Sequence, residues 1–207
     1  MKISKHVHSC LLIKDQGITI IIDPGNYSYE EKALDMDGIE KLDYILITHE
    51  HPDHMHAPFI KELLGRFPDA KIITNSSAKT LLETEGISAS TQGNEIVISS
   101  PTPHEKVFGI EPPENVQFSV FGKLTHPGDS LSFRLETPVL ALPVQAPWGS
   151  LTAAVDYAVS LKPEVIIPIH DWHWNEKARK AFYIRLEKYF AAQGIKFAPL
   201  TTESIEF

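Results

Sequence analysis

The sequence predicts an α/β fold in which sheets pack between helices. Three observations lead there. Short apolar runs bounded by turn residues recur along the chain, longer amphipathic stretches separate some of them, and the order of strands followed by strand–helix units occurs twice. With 207 residues and no linker, repeat or low-complexity stretch, a single domain over 1–207 is expected.

The elements follow in order. Leu11–Ile13, a turn at Lys14–Gly17 and Ile18–Ile22 read as a β-hairpin. Asp23-Pro24-Gly25 closes it as a turn. Tyr27–Lys41 is polar and reads as a short helix or a flap, and Leu42–Thr48 as a buried strand. His49–His56 is a polar loop, and Pro58 suits the first turn of a helix running to about Arg66. Ala70–Thr74 is a strand and Ser76–Glu85 a helix. Strands are then expected at Glu95–Ser99, Val116–Phe121, Leu131–Leu135 and Val139–Pro143. Leu151–Leu161 reads as a helix, Val165–Ile169 as a strand, and Asn175–Gln193 as a long amphipathic helix stopped by Gly194.

Composition narrows the function classes. A net charge of −8 speaks against a general nucleic-acid binder, which needs a basic footprint. Ile18–Ile22 is too short to cross a bilayer, and the first ten residues carry four lysines or histidines ahead of any apolar run. The single cysteine, Cys10, cannot form an internal disulfide. A cytoplasmic protein acting on a small molecule, without nucleic acid or membrane, is the expectation, with a homo-oligomer left open.

The sharpest local feature is Thr48-His49-Glu50-His51-Pro52-Asp53-His54. Ten histidines and ten aspartates would produce its H-x-H-x-D-H by chance in about one such chain in a thousand. In an extended loop, residues two apart point the same way, so His49 and His51 can share one metal. Asp53 and His54 follow where the loop bends and can serve a second. Imidazole and carboxylate suit zinc, and also manganese or iron. The alternative is a solvated histidine-rich loop. Four ligands do not complete two sites, and further donors occur beyond later apolar runs: His104, Asp129 and His170. Singly, each has a plainer explanation as a surface or turn residue. As an ordered set they carry weight.

Four stretches resemble the metallo-β-lactamase-fold hydrolases: His8-Ser9-Cys10 with Ile22-Asp23-Pro24-Gly25, His49–His54, Thr125-His126-Pro127-Gly128-Asp129-Ser130, and Pro163–His170. Within that family the chain is similar to the branch containing the ascorbate-6-phosphate lactonase. The resemblance implies a four-layer αβ/βα sandwich with two divalent metal ions at one edge. It places His49, His51 and His104 on one metal, Asp53, His54 and His170 on the other, and Asp129 between them.

Paired metals about 3.5–4 Å apart can share a water and polarise a substrate. Attack by a bridging hydroxide on carbon or phosphorus is the expected chemistry, with Asp53 orienting the nucleophile. His126 is a candidate for a leaving-group contact, for support behind the ligands, or for a purely structural role. Two divalent cations against Asp53, Asp129 and hydroxide leave about one positive charge, which favours small anionic esters, lactones or phosphodiesters. Trp148, Trp172 and His173 are candidates for the substrate pocket, while Trp174 reads as a packing residue and His8 as a buried structural histidine, with an approach to the site from the first hairpin as its alternative. The competing readings are a thioesterase like glyoxalase II and a metal-binding or sensing module without turnover.

Overall fold

A computed structural model describes residues 1–200 and 204–206 of the chain. The first three strands, β1 (Lys2–Lys5), β2 (Leu11–Asp15) and β3 (Ile18–Ile22), form an antiparallel meander. Its second turn is the dipeptide Gln16-Gly17, with φ of 50° and 74°. Positive φ at both positions gives the turn whose twist matches a hairpin. The chain then runs through α1 (Asn26–Glu30), β4 (Tyr44–Leu46), α2 (Ala57–Arg66), β5 (Lys71–Ile73) and α3 (Ser76–Thr84). Strands β3, β4 and β5 are parallel. A strand at Ile205–Glu206, β12, pairs with β1, so the first sheet has the order β12-β1-β2-β3-β4-β5.

The second half repeats the plan. It contains β6 (Val97–Pro101), β7 (Val116–Val120), β8 (Leu124–His126), β9 (Val139–Pro143), α4 (Leu151–Leu161), β10 (Val165–Ile169), α5 (Glu176–Ala192) and β11 (Lys196–Phe197). Its sheet has the order β11-β10-β9-β8-β7-β6. The strands from β8 to β11 are parallel, and β6 and β7 complete an antiparallel edge.

The layering follows from the period of two along each strand. Ile20, Ile22 and Leu46 face Val139, Ala141, Ile167 and Ile169 in a core between the sheets. Ile21 and Ile45 point the other way, onto Phe59, Ile60 and Leu63 of α2 and Leu82 of α3. Leu140, Leu142 and Ile166 likewise meet Ala154, Ala158, Leu186 and Phe190 of α4 and α5. Strands apolar on both faces sit inside a helix–sheet–sheet–helix stack. This is the four-layer αβ/βα sandwich. No helix among the described residues is long and apolar enough to cross a membrane.

One expected strand is absent. Leu131–Leu135 forms none, and the place beside β7 and β9 belongs to β8. The chain reverses directly after β7 at Phe121-Gly122, with φ of 56° and 62°, so the residues that follow the turn pair first. Phe133 packs edge-on against Tyr157 of α4 instead. Gln117 bonds both the backbone N and O of Arg134, replacing a ladder.

Strand directions decide where the site lies. The C-terminal ends of β1, β3, β4, β6, β8 and β10 share one edge of the sandwich. There the sheets are tied by a hydrogen bond from Val116 N to Thr48 O, 3.0 Å.

Candidate metal centre

His49–His54 leaves the end of β4 and is held by the turn that leaves β3. Asp23 is fully buried. Its carboxylate accepts from Thr48 N and Thr48 Oγ1, both at 2.8 Å, and from His54 Nδ1 at 2.7 Å. Thr48 Oγ1 in turn accepts from His49 Nδ1 at 3.1 Å. Both rings therefore carry Nδ1–H and present the Nε2 lone pair on the other side. Residues 51–55 make one helical turn, with His54 N and Met55 N bonded to His51 O, and this turns Asp53 and His54 into the site.

The opposite wall comes from the second sheet. His104 Nδ1 donates to Glu105 O at 2.6 Å, and His170 Nδ1 to Gln145 O at 2.5 Å. Asp129, 2% exposed, accepts from Trp148 Nε1 at 3.1 Å. For the two histidines a backbone carbonyl fixes the far nitrogen and aims Nε2 at the cluster, while Trp148 bonds Asp129 Oδ2, the oxygen that also faces His49, His104 and His170.

The structure brings all seven predicted ligands together, in two groups. His49, His51, His104 and Asp129 form one; Asp53, His54 and His170 form the other, joined by His8. Within each group the donor atoms lie within 4.8 Å of one another. Asp129 faces both: its carboxylate oxygens lie 3.1 Å from His54 Nε2, 3.2 Å from His170 Nε2, 3.6 Å from His104 Nε2 and 3.8 Å from His49 Nε2.

The fit to metal ions can be tested on the buried atoms. His54 Nε2, His104 Nε2, His170 Nε2 and Asp129 Oδ1 are buried without a hydrogen-bond partner, and all four point into the cluster. Unsatisfied buried polar atoms are costly and need an explanation. Four of them together, three of them imidazole nitrogens and one a carboxylate oxygen, fit cation ligation.

Electrostatics agree. Burial pushes the Asp53 carboxyl up, but His54 and its other histidine neighbours outweigh it and hold the group ionised. Burial acts the same way on Asp129, where His170 and His54 win. Burial lowers His170, yet Asp129 overrides it and lifts the imidazole to about 9. Burial and the neighbouring His170 press His8 down to about 3.

Sequence reasoning underweighted two residues. His8 is 1% exposed and bonds Asp53 Oδ2 through Nε2 at 3.1 Å, with its ring 4.0 Å from that of His170. A lone histidine before a hairpin carries no metal signature. Asp23 was legible only as a turn residue. Its buried φ of 50° and its three donors arise from tertiary packing.

Three other candidates fall differently. His126 is fully buried, its Nε2 bonds Ser9 O at 3.1 Å, and its Nδ1 accepts from Gly128 N at 3.3 Å. With both nitrogens on backbone it does not line the cleft above the cluster, which corrects the leaving-group reading. Trp148 and His173 do line that cleft. Trp172 does not, against expectation: it stacks on Tyr27 at 3.9 Å, its Nε1 donates to Glu31, and it lines a separate hollow with Lys5 and Arg179. Trp174 packs on Phe182 of α5.

Residues 2–170 match the model of the beta-lactamase superfamily domain. The chain belongs to that superfamily. It is a metallo-β-lactamase-fold hydrolase, similar to protein Rv0786c of Mycobacterium tuberculosis, 33% identical over 90% of this chain and 91% of that one. It also resembles a UPF0173 metal-dependent hydrolase of Geobacillus thermodenitrificans, 47% identical over 27% of this chain and 24% of that protein. Among solved structures, Igni18, a metallo hydrolase from Ignicoccus hospitalis, superposes with a TM-score of 0.71 at 21% identity, over 100% of this chain and 98% of that one. At that identity the likeness speaks for the fold of this hydrolase.

Proposed function

We propose that the chain holds two divalent cations and hydrolyses a small ester, lactone or phosphodiester. His49, His51 and His104 hold one ion, Asp53, His54 and His170 the other, and Asp129 lies between them. The observation that carries this reading is that four buried atoms without a hydrogen-bond partner lie in two adjacent donor groups, His54 and His170 in one and His104 and Asp129 in the other. The nitrogen-rich set suits zinc, with manganese or iron as the alternatives. Bound there, such ions supply Lewis acidity and a water acidic enough to attack near neutral pH.

The chain's own groups supply the rest. Asp53 is 20% exposed and lines the cleft, where its carboxylate can orient a water. His8 steers that carboxylate through Nε2. Trp148 holds Asp129 in place and closes one side of the cleft against solvent.

The test combines metal analysis of protein purified without added metal with turnover of lactones, thioesters, carboxylate esters, β-lactams and bis-nitrophenyl phosphate. About two metals per chain and turnover reduced about 100-fold or more in Asp53→Ala are expected. Full activity in Asp53→Ala would overturn the assignment. Bound metal with no turnover on any class would make the protein a binding module.

A further inference from the structure

Two small hairpins wall the cleft above the ligand cluster. Val107 pairs with Ile110 across Phe108-Gly109, and Ala146 pairs with Gly149 across Pro147-Trp148. Phe108 and Gly109 have φ of 49° and 72°, the tight hairpin geometry, although an aromatic residue rarely adopts positive φ. The turn leaves Phe108 87% exposed at the tip and brings Val107 and Ile110 into the wall. From the other hairpin come Pro147 and Trp148. The indole Nε1 is committed to Asp129, so Trp148 has only ring carbon to offer. Pro112 and Pro113 complete the wall and have no N–H.

Charge sharpens the picture. Above the ligands, the described residues lining this cleft include Glu105 and Glu111 and no lysine or arginine. Glu105 reaches the segment that follows Asp129, where it accepts from Leu131 N at 2.8 Å; Glu111 is exposed. Lys106 lines a different groove, on the other side of His104. A phosphate or carboxylate remote from the reacting bond would lie against carbon and beside a glutamate, with no lysine or arginine to answer it; His173, the imidazole of the lining outside the proposed ligand set, has its Nε2 3.3 Å from Tyr27 Oη.

We propose that the substrate carries an uncharged, apolar group next to the bond that is cleaved. Negative charge is confined to the part that meets the metal ligands. The cleft, about 320 Å³, is at the small end of the usual range for ligand sites, roughly 300–1,000 Å³, so that group is a single ring or a short alkyl chain. This rests on the hydrolase reading above and narrows it: a phosphodiester or ester with an apolar substituent fits, and a lactone bearing a remote phosphate does not.

The experiment measures binding and turnover separately on the metal-loaded protein. Octanohydroxamate is compared by calorimetry with a hydroxamate of equal length that ends in a carboxylate. Burying about two methylenes suffices for about ten-fold in affinity, so the uncharged member should bind at least about ten-fold tighter. Glu111→Lys, an exposed position away from the ligands, should narrow that gap about three-fold or more by improving the charged member. Equal or tighter binding of the charged member to the wild type overturns the proposal. So does a gap that Glu111→Lys leaves unchanged, or the failure of both compounds to bind. Turnover of p-nitrophenyl hexanoate against the mono-p-nitrophenyl ester of adipate supplies the second arm. Binding with the expected preference but no turnover of any ester or phosphodiester supports the apolar cleft and sinks the hydrolase reading instead.

Discussion

Asp23 shows how a single carboxylate sets a candidate ligand's direction. It neutralises no surface charge; it fixes the tautomer and tilt of His54 while satisfying the Thr48 backbone N–H. Partners of this kind are worth about 10–100-fold in metal affinity when lost. Asp23→Asn should weaken metal binding by about that factor in competition with a chromophoric chelator. Asp23→Ala should add about 1–3 kcal/mol of destabilisation, because the buried Thr48 N–H loses its acceptor. Unchanged affinity in both variants would remove Asp23 from the site. The contrast with His49–His54 shows what was readable in the chain. Four donors within six residues announce themselves by spacing alone. Asp23, inside Asp-Pro-Gly, is fully accounted for by turn chemistry. His8 was only faintly legible: it stands in a stretch that resembles the family, but nothing near it in sequence says that the β1–β2 loop folds over Asp53.

At the scale of elements, the turn after β3 and the ligand loop after β4 are built against each other. Asn26 N bonds Pro52 O at 2.8 Å, and His56 N bonds Pro24 O at 3.2 Å. A Cβ at Gly25 would lie 1.8 Å from Asp53 O, a backbone atom that can move only with the loop. Gly25→Ala should therefore cost about 1–3 kcal/mol or more and release metal. Gly65→Ala is the matched control: it is exposed near the end of α2 with nothing within 4 Å, and should gain up to about 1 kcal/mol from helix propensity. Urea unfolding midpoints should move in opposite directions. The strands β2, β3, β9 and β10 were legible because dense apolar runs such as Leu11-Leu12-Ile13, Ile20-Ile21-Ile22 and Val165-Ile166-Ile167 have few other uses. Strand β8 was not, because Leu124-Thr125-His126 is short and mostly polar, while Leu131, Phe133 and Leu135 alternate like a strand and yet bury against α4. Short edge strands such as β11 and β12 leave no periodicity to read.

For the molecule as a whole, the decisive fact is that the candidate ligands come from both sheets. His8 and His49–His54 belong to the first, His104, Asp129 and His170 to the second, so two bound cations would staple the halves at one edge. Without cations, the charges of Asp53 and Asp129 draw protons onto His54 and His170 instead, while burial keeps His8, His49 and His51 low. His170 is lifted to about 9 by Asp129, against the opposing effect of burial, and His54 is raised in the same way by Asp129 and Asp23. A metal needs neutral imidazole, so binding near neutral pH must expel protons. Calorimetry in buffers of different ionisation enthalpy should detect about one or more protons released per chain. Stability carries the same signature with opposite signs for the two forms. A folded pKa of about 9 for His170 lies above the ordinary value of about 6.5, so the proton-linked stabilisation of metal-free protein is complete below about 6.5 and fades as pH rises through 9. Over the same range the loaded protein gains, because proton competition for the ligands disappears. At a metal concentration about 1,000-fold above its dissociation constant, loading contributes about 4 kcal/mol. The gap in melting temperature between loaded and chelator-treated protein should widen steadily from about pH 6.5 to 9. A gap that stays flat across that range would mean that His170 and Asp129 do not face the metal, and the two sheets would have to be held at this edge by packing alone.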